Sequence, residues 1–457
     1  MRLYSGENAQ TAQRKKPLSV YPQSQTGMSK LIQVRKYADS RGIPHMEIKA
    51  LGCRMRLPVG QLGKYFRTKR RKRHAKKEIR KKLPAFAHAR DEYLARQPKN
   101  TLRRLFITSG NLHLINTLAI IEQLKESDSV PVENHLLVWS IMTNADFEEM
   151  NLKLTQACGI THYYACYGLD EARDVVLYLM EHQLHSVDEV YSLQMAPHME
   201  IYNTLYSGVE HIVTEESFFK LVPWPGFRAS SCRQLITTCY LDKMDYAEFA
   251  GRAWQIRHIE KTHYSKIARL SAELYPWPLS LPQGSKTIIF CATHTVPWYP
   301  YISERQEYII QRLLNSGFHV LYKPHPRDPQ LPPEAENLQI LQTRLPLECY
   351  ALEGVLAVVS LFSSASTQSY HFNGVPGFID HTATRDVAPE YLCILQEEYT
   401  PSVEDLLALN AAQMSHDELK AEISRLYHAH VDPKPMMSQN KRFSEALQAA
   451  LDEKDNK

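Results

Sequence analysis

Residues Phe318–Arg327 read FHVLYKPHPR, and residues Ser360–Thr367 read SLFSSAST. The apolar run Phe318–Tyr322 predicts a short buried strand that leads directly into a turn with three basic or titratable side chains. Prolines on both sides of the histidine fix φ and keep this turn out of a helix. The second stretch repeats the layout, because the apolar strand Val355–Leu361 precedes small hydroxyl residues that open a helix at about Ser364. Such strand ends can stabilise the charge on a departing phosphate.

Strand and helix patterns alternate along most of the chain. One series begins at Leu102, and a second begins at Lys286, after the proline-rich linker Tyr275–Ser285. Between them, Leu235–Leu274 is predicted to be mainly helical. Alternation of this kind predicts an α/β fold of GT-B type, with two doubly wound Rossmann-like domains facing across a cleft. The expected segments are a basic N-terminal extension, disordered or helical in part (1–100), a first Rossmann-like domain with a helical insert (101–275), a second Rossmann-like domain (276–400) and a helical tail (401–457).

Composition indicates a globular protein. The chain has 457 residues, of which 23% are charged, so it is long enough for two or three hydrophobic cores. No apolar run approaches the roughly 20 residues that span a bilayer, and the first residues lack the apolar core of a secretory signal. Its eight cysteines are scattered without a C-x-x-C pair, which argues against a zinc ribbon or a disulfide scaffold. The expected location is the cytoplasm.

One segment is strongly basic. Lys64–Lys82 contains twelve Lys or Arg residues and a single acid, Glu78, although the net charge of the whole chain is only +4. Such a segment attracts polyanions, and attachment to the inner face of the plasma membrane is the leading functional interpretation. A solvated tail without a dedicated partner explains the charge equally well. The segment lacks aromatic residues at stacking spacing, so no specific nucleic-acid partner is predicted.

Three short motifs resemble those of the bacterial sialyltransferase and polysialyltransferase family. They are His325-Pro326, Ser363-Ser364 after a later apolar strand, and Glu215-Glu216 at the end of a strand of the first domain. The resemblance covers about residues 102–400 and departs from the family pattern at Ser217, where the family has glycine. It implies an inverting GT-B transferase that passes sialic acid from a CMP-activated donor to a glycan acceptor, such as a surface polysaccharide or a lipid-linked glycan.

The resemblance also implies how the residues act. Glu215, or Glu216 as second choice, would take the proton of the acceptor hydroxyl, and burial or its carboxylate neighbour would raise its pKa. His325 would stabilise the departing phosphate. Glu348 matches the position of a ribose-binding carboxylate, although it is as readily explained as an acid in the first turn of a helix. The expected donor-binding residues are Lys323, Pro326, Arg327, Glu348, Ser363, Ser364 and Thr293, and the expected acceptor-binding residues are Gly110 and Asn111.

No metal or cofactor is predicted. The chain lacks a D-x-D element that would clamp a divalent ion on a diphosphate, and a donor with a single phosphate does not need one. Two alternatives remain. One is a GT-B transferase with CMP-Kdo or CDP-glycerol as donor in the synthesis of a cell-surface polymer. The other is a non-catalytic relative that binds a polyanion or a membrane through its basic segment, which Ser217 favours.

Overall fold

The structure is a computed structural model that describes most of the chain. Two compact units are distinguished, Met1–Glu78 and Ile79–Lys457. The described residues are 32–38, 44–50, 53–58, 62–96, 100–140, 145–167, 172–193, 202–214, 234–237, 248–249, 252–253, 255–293, 301–325, 331–343, 345–388, 390–432 and 441–455.

The N-terminal unit contains a small antiparallel sheet. Its strands are β1 (Ile32–Ala38), β2 (Pro44–Ala50) and β3 (Cys53–Pro58), in the order β1-β2-β3. The sequence predicted an extension that is disordered or helical in part, and these short strands were not among the predicted elements. The basic segment lies on helix α1 (Leu62–Ala95), as its helical part was expected to do.

A seven-stranded parallel sheet forms the first half of the larger unit. Its strand order, β12-β9-β8-β7-β4-β5-β6, is that of a doubly wound sheet extended at one edge. The strands are β4 (Leu102–Ser109), β5 (Val132–Ser140), β6 (His162–Tyr167), β7 (Glu189–Leu193), β8 (Glu210–Thr214), β9 (Gln234–Thr237) and β12 (Gln255–His258), and the hairpin β10 (Glu248–Phe249) and β11 (Arg252–Ala253) stands apart. The helices between them are α2 (Gly110–Ser127), α3 (Ala145–Ala157) and α4 (Ala172–Glu181).

The stretch Leu235–Leu274, predicted to be mainly helical, contains strands before its helix. It begins with β9 and contains β12, and helix α5 (Lys261–Leu274) starts only near its end. Pairing with β8 stabilises β9, and β12 then pairs with β9. This long-range pairing is invisible to local periodicity, which explains the error.

A five-stranded parallel sheet forms the second half. Its order β15-β14-β13-β16-β17 is again doubly wound, which confirms the predicted α/β class with two Rossmann-like sheets, the building units of the GT-B architecture. The strands are β13 (Thr287–Cys291), β14 (His319–Lys323), β15 (Leu338–Ile340), β16 (Val355–Ser360) and β17 (Gly377–Ile379). The short and long helices between and after them are α6 (Ile302–Asn315), α7 (Ser364–Thr367), α8 (Ser369–Asn373), α9 (His381–Val387), α10 (Glu390–Tyr399), α11 (Val403–Leu407), α12 (His416–Val431) and α13 (Lys441–Asp455).

Helix α5 joins the cores of the two sheets. The ring of Tyr264 is fully buried and contacts Phe372 of α8 edge-on at 5.1 Å between ring centroids. Ile267 lies in a cluster that contains Phe106 of the first sheet and Ile289 of the second. Helix α12 of the tail contributes further core residues to the second sheet alone. The two sheets and α5 therefore share one hydrophobic core.

Candidate functional site

The middle of the second sheet is where a doubly wound fold binds ligands. The strand order reverses direction between β13 and β16, and ligands of such sheets bind at the carboxyl ends of the strands beside this point. Cys291, the last residue of β13, pairs with Lys323 on one side and with Ser360 on the other. Side chains that follow these three strand ends therefore share one edge of the sheet.

Lys323 and Glu348 form a buried pair of opposite charges at this edge. They are 8% and 3% exposed. Burial lowers the pKa of Lys323, and the nearby charges of Cys291 and Glu348 oppose that change. Burial raises the pKa of Glu348, while a hydrogen bond to its own backbone and the charge of Lys323 act in the other direction. A lysine held in this way can meet an anionic ligand with little competition from water.

Thr293 adds a buried hydroxyl to the same edge. It lies two residues beyond β13 and is 8% exposed, and its backbone N–H donates to Oε1 of Gln306 at 2.7 Å. Its hydroxyl is buried and has no hydrogen-bond partner among the described residues. Because an unsatisfied buried hydroxyl costs free energy, a ligand atom that pairs with it would be favoured. Thr293 was predicted from the sequence as a site residue. Gln306 was not, because nothing in the helical pattern of α6 distinguishes it from other polar residues.

The serine pair lies after β16, as predicted. Ser363 is the N-cap of α7, and its hydroxyl accepts the backbone N–H of Ala365 at 3.3 Å. Its own N–H donates to the hydroxyl of Ser360 at 2.9 Å. Ser364 is half-buried and begins the helix at the predicted residue. The hydroxyl proton of Ser363 remains available to an acceptor, since the capping bond uses only an oxygen lone pair.

Gly377 explains how this turn is held against the sheet. A Cβ atom built on Gly377 would lie 1.6 Å from the carbonyl oxygen of Ser366. Only glycine lets β17 approach α7 so closely. The Ser369 hydroxyl oxygen also lies 2.8 Å from the carbonyl oxygens of both Ser366 and Val375, between which its single proton is shared. The position of the serine pair is therefore set by contacts with the neighbouring strand.

Several predicted site residues cannot be placed fully. His325 follows β14 by two residues and is half-buried. Pro326 and Arg327 lie outside the described residues, as do Glu215 and Glu216. The described part of β8 ends at the buried Thr214, directly before the glutamate pair. Gly110 and Asn111 begin α2 immediately after β4, without a loop.

Two sets of interacting polar residues were not predicted from the sequence. Arg305 of α6 donates to both carboxylate oxygens of the buried Asp380, at 2.5 and 3.1 Å, just beyond the carboxyl end of β17. Ser192 Oγ lies 2.6 Å from Nε2 of His211, whose Nδ1 lies 2.8 Å from Oδ1 of Asn203. This chain has the order of a nucleophile, a base and an orienting group, but Ser192 is buried and offers no access to substrate. Only contacts between distant residues reveal either group.

Comparisons with known proteins show similarity of fold only. No protein-family model matches the chain, and no curated protein matches it. Among solved structures, the UDP-GlcNAc 2-epimerase of Methanocaldococcus jannaschii aligns over 76% of this chain and 99% of its own, with 9% identity and a TM-score of 0.42. UGT89C1 of Arabidopsis thaliana, complexed with UDP, aligns over 78% and 100%, with 11% identity and a TM-score of 0.42. The heptosyltransferase WaaC of E. coli, with ADP, aligns over 61% and 87%, with 11% identity and a TM-score of 0.35.

In the described part of the chain, every helix is too short or too polar to cross a membrane.

Proposed function

We propose that this protein is a glycosyltransferase that transfers a sugar, sialic acid in the first instance, from a CMP-activated donor to a glycan acceptor. The observation that supports this proposal best is the position of Lys323. It is a buried lysine at the carboxyl edge of the second sheet, next to the point where the strand order reverses. A lysine there suits the phosphate of a nucleotide, since a buried ammonium group binds an anion more strongly than an exposed one.

The other groups at this edge fit a nucleotide with a single phosphate. In the proposed complex, the Ser363 and Ser364 hydroxyls donate to phosphate oxygens, and the Thr293 hydroxyl gains a partner that it lacks among the residues the structure describes. Glu348, buried close to Lys323, accepts the ribose hydroxyls. Lys323 balances the single negative charge of the phosphate in a CMP-sugar, and the neutral hydroxyls add hydrogen bonds, without a divalent ion. The proposal accordingly includes no metal and no cofactor.

The proposed reaction is a single in-line displacement with inversion at the anomeric carbon. The acceptor hydroxyl oxygen forms the new bond to this carbon while the bond from the carbon to the phosphate oxygen breaks. Glu215 takes the acceptor proton, with Glu216 as the second choice. CMP leaves with the bonding electrons, and His325, together with Lys323, stabilises the growing charge. Gly110 and Asn111, which follow β4, are the proposed acceptor contacts.

A donor panel tests this function. The pure protein is incubated with CMP-sialic acid, CMP-Kdo, CDP-glycerol and a UDP-sugar, with a mixture of glycan acceptors, and the released nucleotide is measured. Release of CMP from CMP-sialic acid is expected, whereas preferential turnover of one of the other donors would change the assignment of the donor only. No turnover, together with no binding of any of these nucleotides, would contradict the proposal.

A matched pair of serine variants tests whether the serine pair after β16 binds the nucleotide. Ser363 and Ser415 both cap helices of the second half, at α7 and α12. Replacing either serine by alanine removes a cap that contributes about 1 kcal/mol of stability. CMP affinity is expected to fall for Ser363→Ala and to stay unchanged for Ser415→Ala. His325→Ala and Glu215→Ala are expected to abolish turnover, and unchanged turnover in both would contradict the site.

The basic helix supports a second element of the proposal, attachment to an anionic membrane surface. From Arg70 to Lys82, all the Lys and Arg residues except Lys82 are exposed. Each basic side chain near an anionic bilayer contributes about 1 kcal/mol, so a dozen of them suffice for salt-sensitive binding. Sedimentation with vesicles that contain phosphatidylserine is expected to carry the protein down at low salt but not at high salt. Equal binding to neutral vesicles would contradict this attachment.

A further inference from the structure

Three side chains of types that bind metals lie together at the amino ends of strands β5 and β6 of the first sheet. The proposed chemistry uses the carboxyl ends of the strands. Glu133 and His135 are near the amino end of β5, and His162 is the first residue of β6. One ligand atom from each of the three lies within 4.8 Å of the other two. Among the residues that the structure describes, this is the one group of three such side chains that is close enough to hold an ion. Neither the motifs nor the proposed transfer reaction uses it.

The sheet register creates this cluster. His135 pairs directly with His162 across the parallel strands, so their rings stack with centroids 4.3 Å apart and an angle of 12° between planes. Glu133 is two residues before His135 and therefore points to the same face of the sheet. Because all three side chains come from paired strands, the backbone fixes their spacing. The stacked rings place their nitrogen lone pairs in nearly parallel planes, so binding of an ion requires the imidazoles to turn about their side-chain torsions until the nitrogens converge.

His135 is prepared to act as a ligand. Its Nε2 atom is buried and forms no hydrogen bond with any described residue, and its distance of 3.8 Å to Oε2 of Glu133 is too long for one. A neutral imidazole has the lone pair that a metal requires. The other ring nitrogen, Nδ1, lies 3.4 Å from the Tyr164 hydroxyl, which can orient the ring as second-layer partners of zinc ligands do.

We infer that Glu133, His135 and His162 form a binding site for Zn²⁺, with water as the fourth ligand. Two histidines and one carboxylate are a common ligand set for this ion, and the nitrogen ligands disfavour Mg²⁺ and Ca²⁺. The site lies at the amino ends of the strands, away from the carboxyl ends where the nucleotide is expected. The ion would therefore join β5 to the edge strand β6 and stabilise the fold, and glycosyl transfer itself would not need it.

Arg103 opposes this ion and provides a sharp test. Its Nε donates to Oε2 of Glu133 at 2.8 Å, and it pairs with Glu133 across β4 and β5. The guanidinium competes for the carboxylate and repels a cation. Replacement of Arg103 by glutamine is therefore expected to tighten Zn²⁺ binding. A variant that acted only by loosening the fold would weaken binding instead.

The experiment measures Zn²⁺ affinity by competition with a chromophoric chelator, using untagged full-length protein that has been stripped of metal. One Zn²⁺ per chain is expected, with a rise in the melting temperature. His162→Ala and Glu133→Gln are each expected to weaken binding by at least about 100-fold, more than the loss of an outer partner does. His182→Ala is the matched control, because this exposed histidine stacks on Tyr178 near the site but is not a ligand. Circular dichroism checks that each variant is folded.

Two further results decide between a site and incidental binding. Co²⁺ in place of Zn²⁺ should show the visible absorption of a tetrahedral ion in the parent protein and not in His162→Ala. The chain has 20 histidines, so weak binding elsewhere would persist equally in all variants. Equal affinity for the parent, His162→Ala and His182→Ala proteins, or weaker binding by Arg103→Gln, would overturn the inference.

Discussion

Lys323 shows how a single residue can link the fold to a ligand. The second sheet holds its ammonium group almost entirely out of water, with Glu348 as the nearby opposite charge. Burial of a charge is costly, and the lowered pKa of Lys323 indicates that the neighbouring groups compensate its charge only in part. A phosphate would supply the missing compensation. This is the physical reason for placing the nucleotide at this residue.

Replacement of Lys323 by methionine is expected to weaken CMP binding by about 10- to 100-fold, the contribution of a charge-assisted hydrogen bond. CMP affinity of the parent protein should also fall as the pH rises, because Lys323 loses its proton and with it its positive charge. Since the pKa of Lys323 is lowered, this fall should begin at a lower pH than it would for an ordinary lysine. Calorimetric titrations over a pH series measure both effects.

The double variant Lys323→Met, Glu348→Met serves as the control for this prediction. It removes both buried charges together, so that neither remains uncompensated, and its stability is expected to stay within about 1 kcal/mol of the parent or to rise. Weak CMP binding by a stable double variant would support the pair as part of the nucleotide site, because Glu348 is itself the proposed ribose contact. Undiminished binding by either variant would exclude Lys323 as the phosphate ligand.

The buried His211 is expected to lower the free energy of unfolding in acid. Its ring is held between Ser192 and Asn203, and burial lowers its pKa to about 4. The unfolded chain binds the proton more readily, so this stability is present at pH values above the ordinary histidine pKa and declines as the pH falls below it. Unfolding in urea should show a loss of about 2 kcal/mol between about pH 7 and about pH 5 from this residue.

His211→Gln isolates this contribution, since His135 changes stability in the same direction. The variant is expected to lose about 2 kcal/mol less than the parent over the same pH range. His88→Ala, at an exposed histidine of α1, serves as the control for removal of a surface histidine. An unchanged pH dependence in His211→Gln would show that the ring is not protonated on unfolding.

At the scale of elements, the contact between β17 and α7 is the most sensitive one at the proposed site. Gly377→Ala would force a methyl group into the Ser366 carbonyl, so α7 or β17 must move. The expected cost is about 2–4 kcal/mol, from overpacking and backbone displacement, together with a loss of CMP binding because the serine pair moves. Urea unfolding and CMP titration measure the two consequences.

Gly159→Ala is the matched control for this element. Gly159 has φ of 72°, but a Cβ atom there meets nothing within 4 Å. It is therefore expected to cost only about 1 kcal/mol of backbone strain and to leave CMP binding intact. If Gly377→Ala proved as mild as Gly159→Ala, the close approach of β17 to α7 would be wrong.

At the scale of the whole molecule, helix α5 makes the two sheets one cooperative structure. Its buried residues belong to a cluster shared by both sheets. Cys349, between β15 and β16, contacts Met150 of α3, with 3.4 Å between sulfur atoms. Residues 79–457 form one compact unit. A shared core implies that neither sheet keeps its stability when the other unfolds.

Two tryptophans report on this cooperativity. Trp139 is buried in β5 of the first sheet, and Trp277 packs edge-on against Tyr350 beside the second, at 5.4 Å between ring centroids. Variants that retain only one of these tryptophans should show coincident urea midpoints by fluorescence. Midpoints separated by more than about 0.5 M would mean that the two halves unfold independently, since m-values of 1–3 kcal/mol per M make such a gap significant.

Local pattern alone determined much of this protein. Apolar runs with alternating helices predicted both sheets, and the strand-to-turn transitions at Lys323 and Ser363 were correctly located, because a buried strand and a helix cap are encoded by neighbouring residues. Tertiary structure decided what depends on residues far apart in the chain. The strand β9 exists because β8 offers it a partner, and β12 because β9 does. The Arg305–Asp380 pair and the Glu133, His135 and His162 cluster arise from sheet register and helix packing. Sequence periodicity contains no information on which strands become neighbours, and it is this choice that brings the functional side chains together.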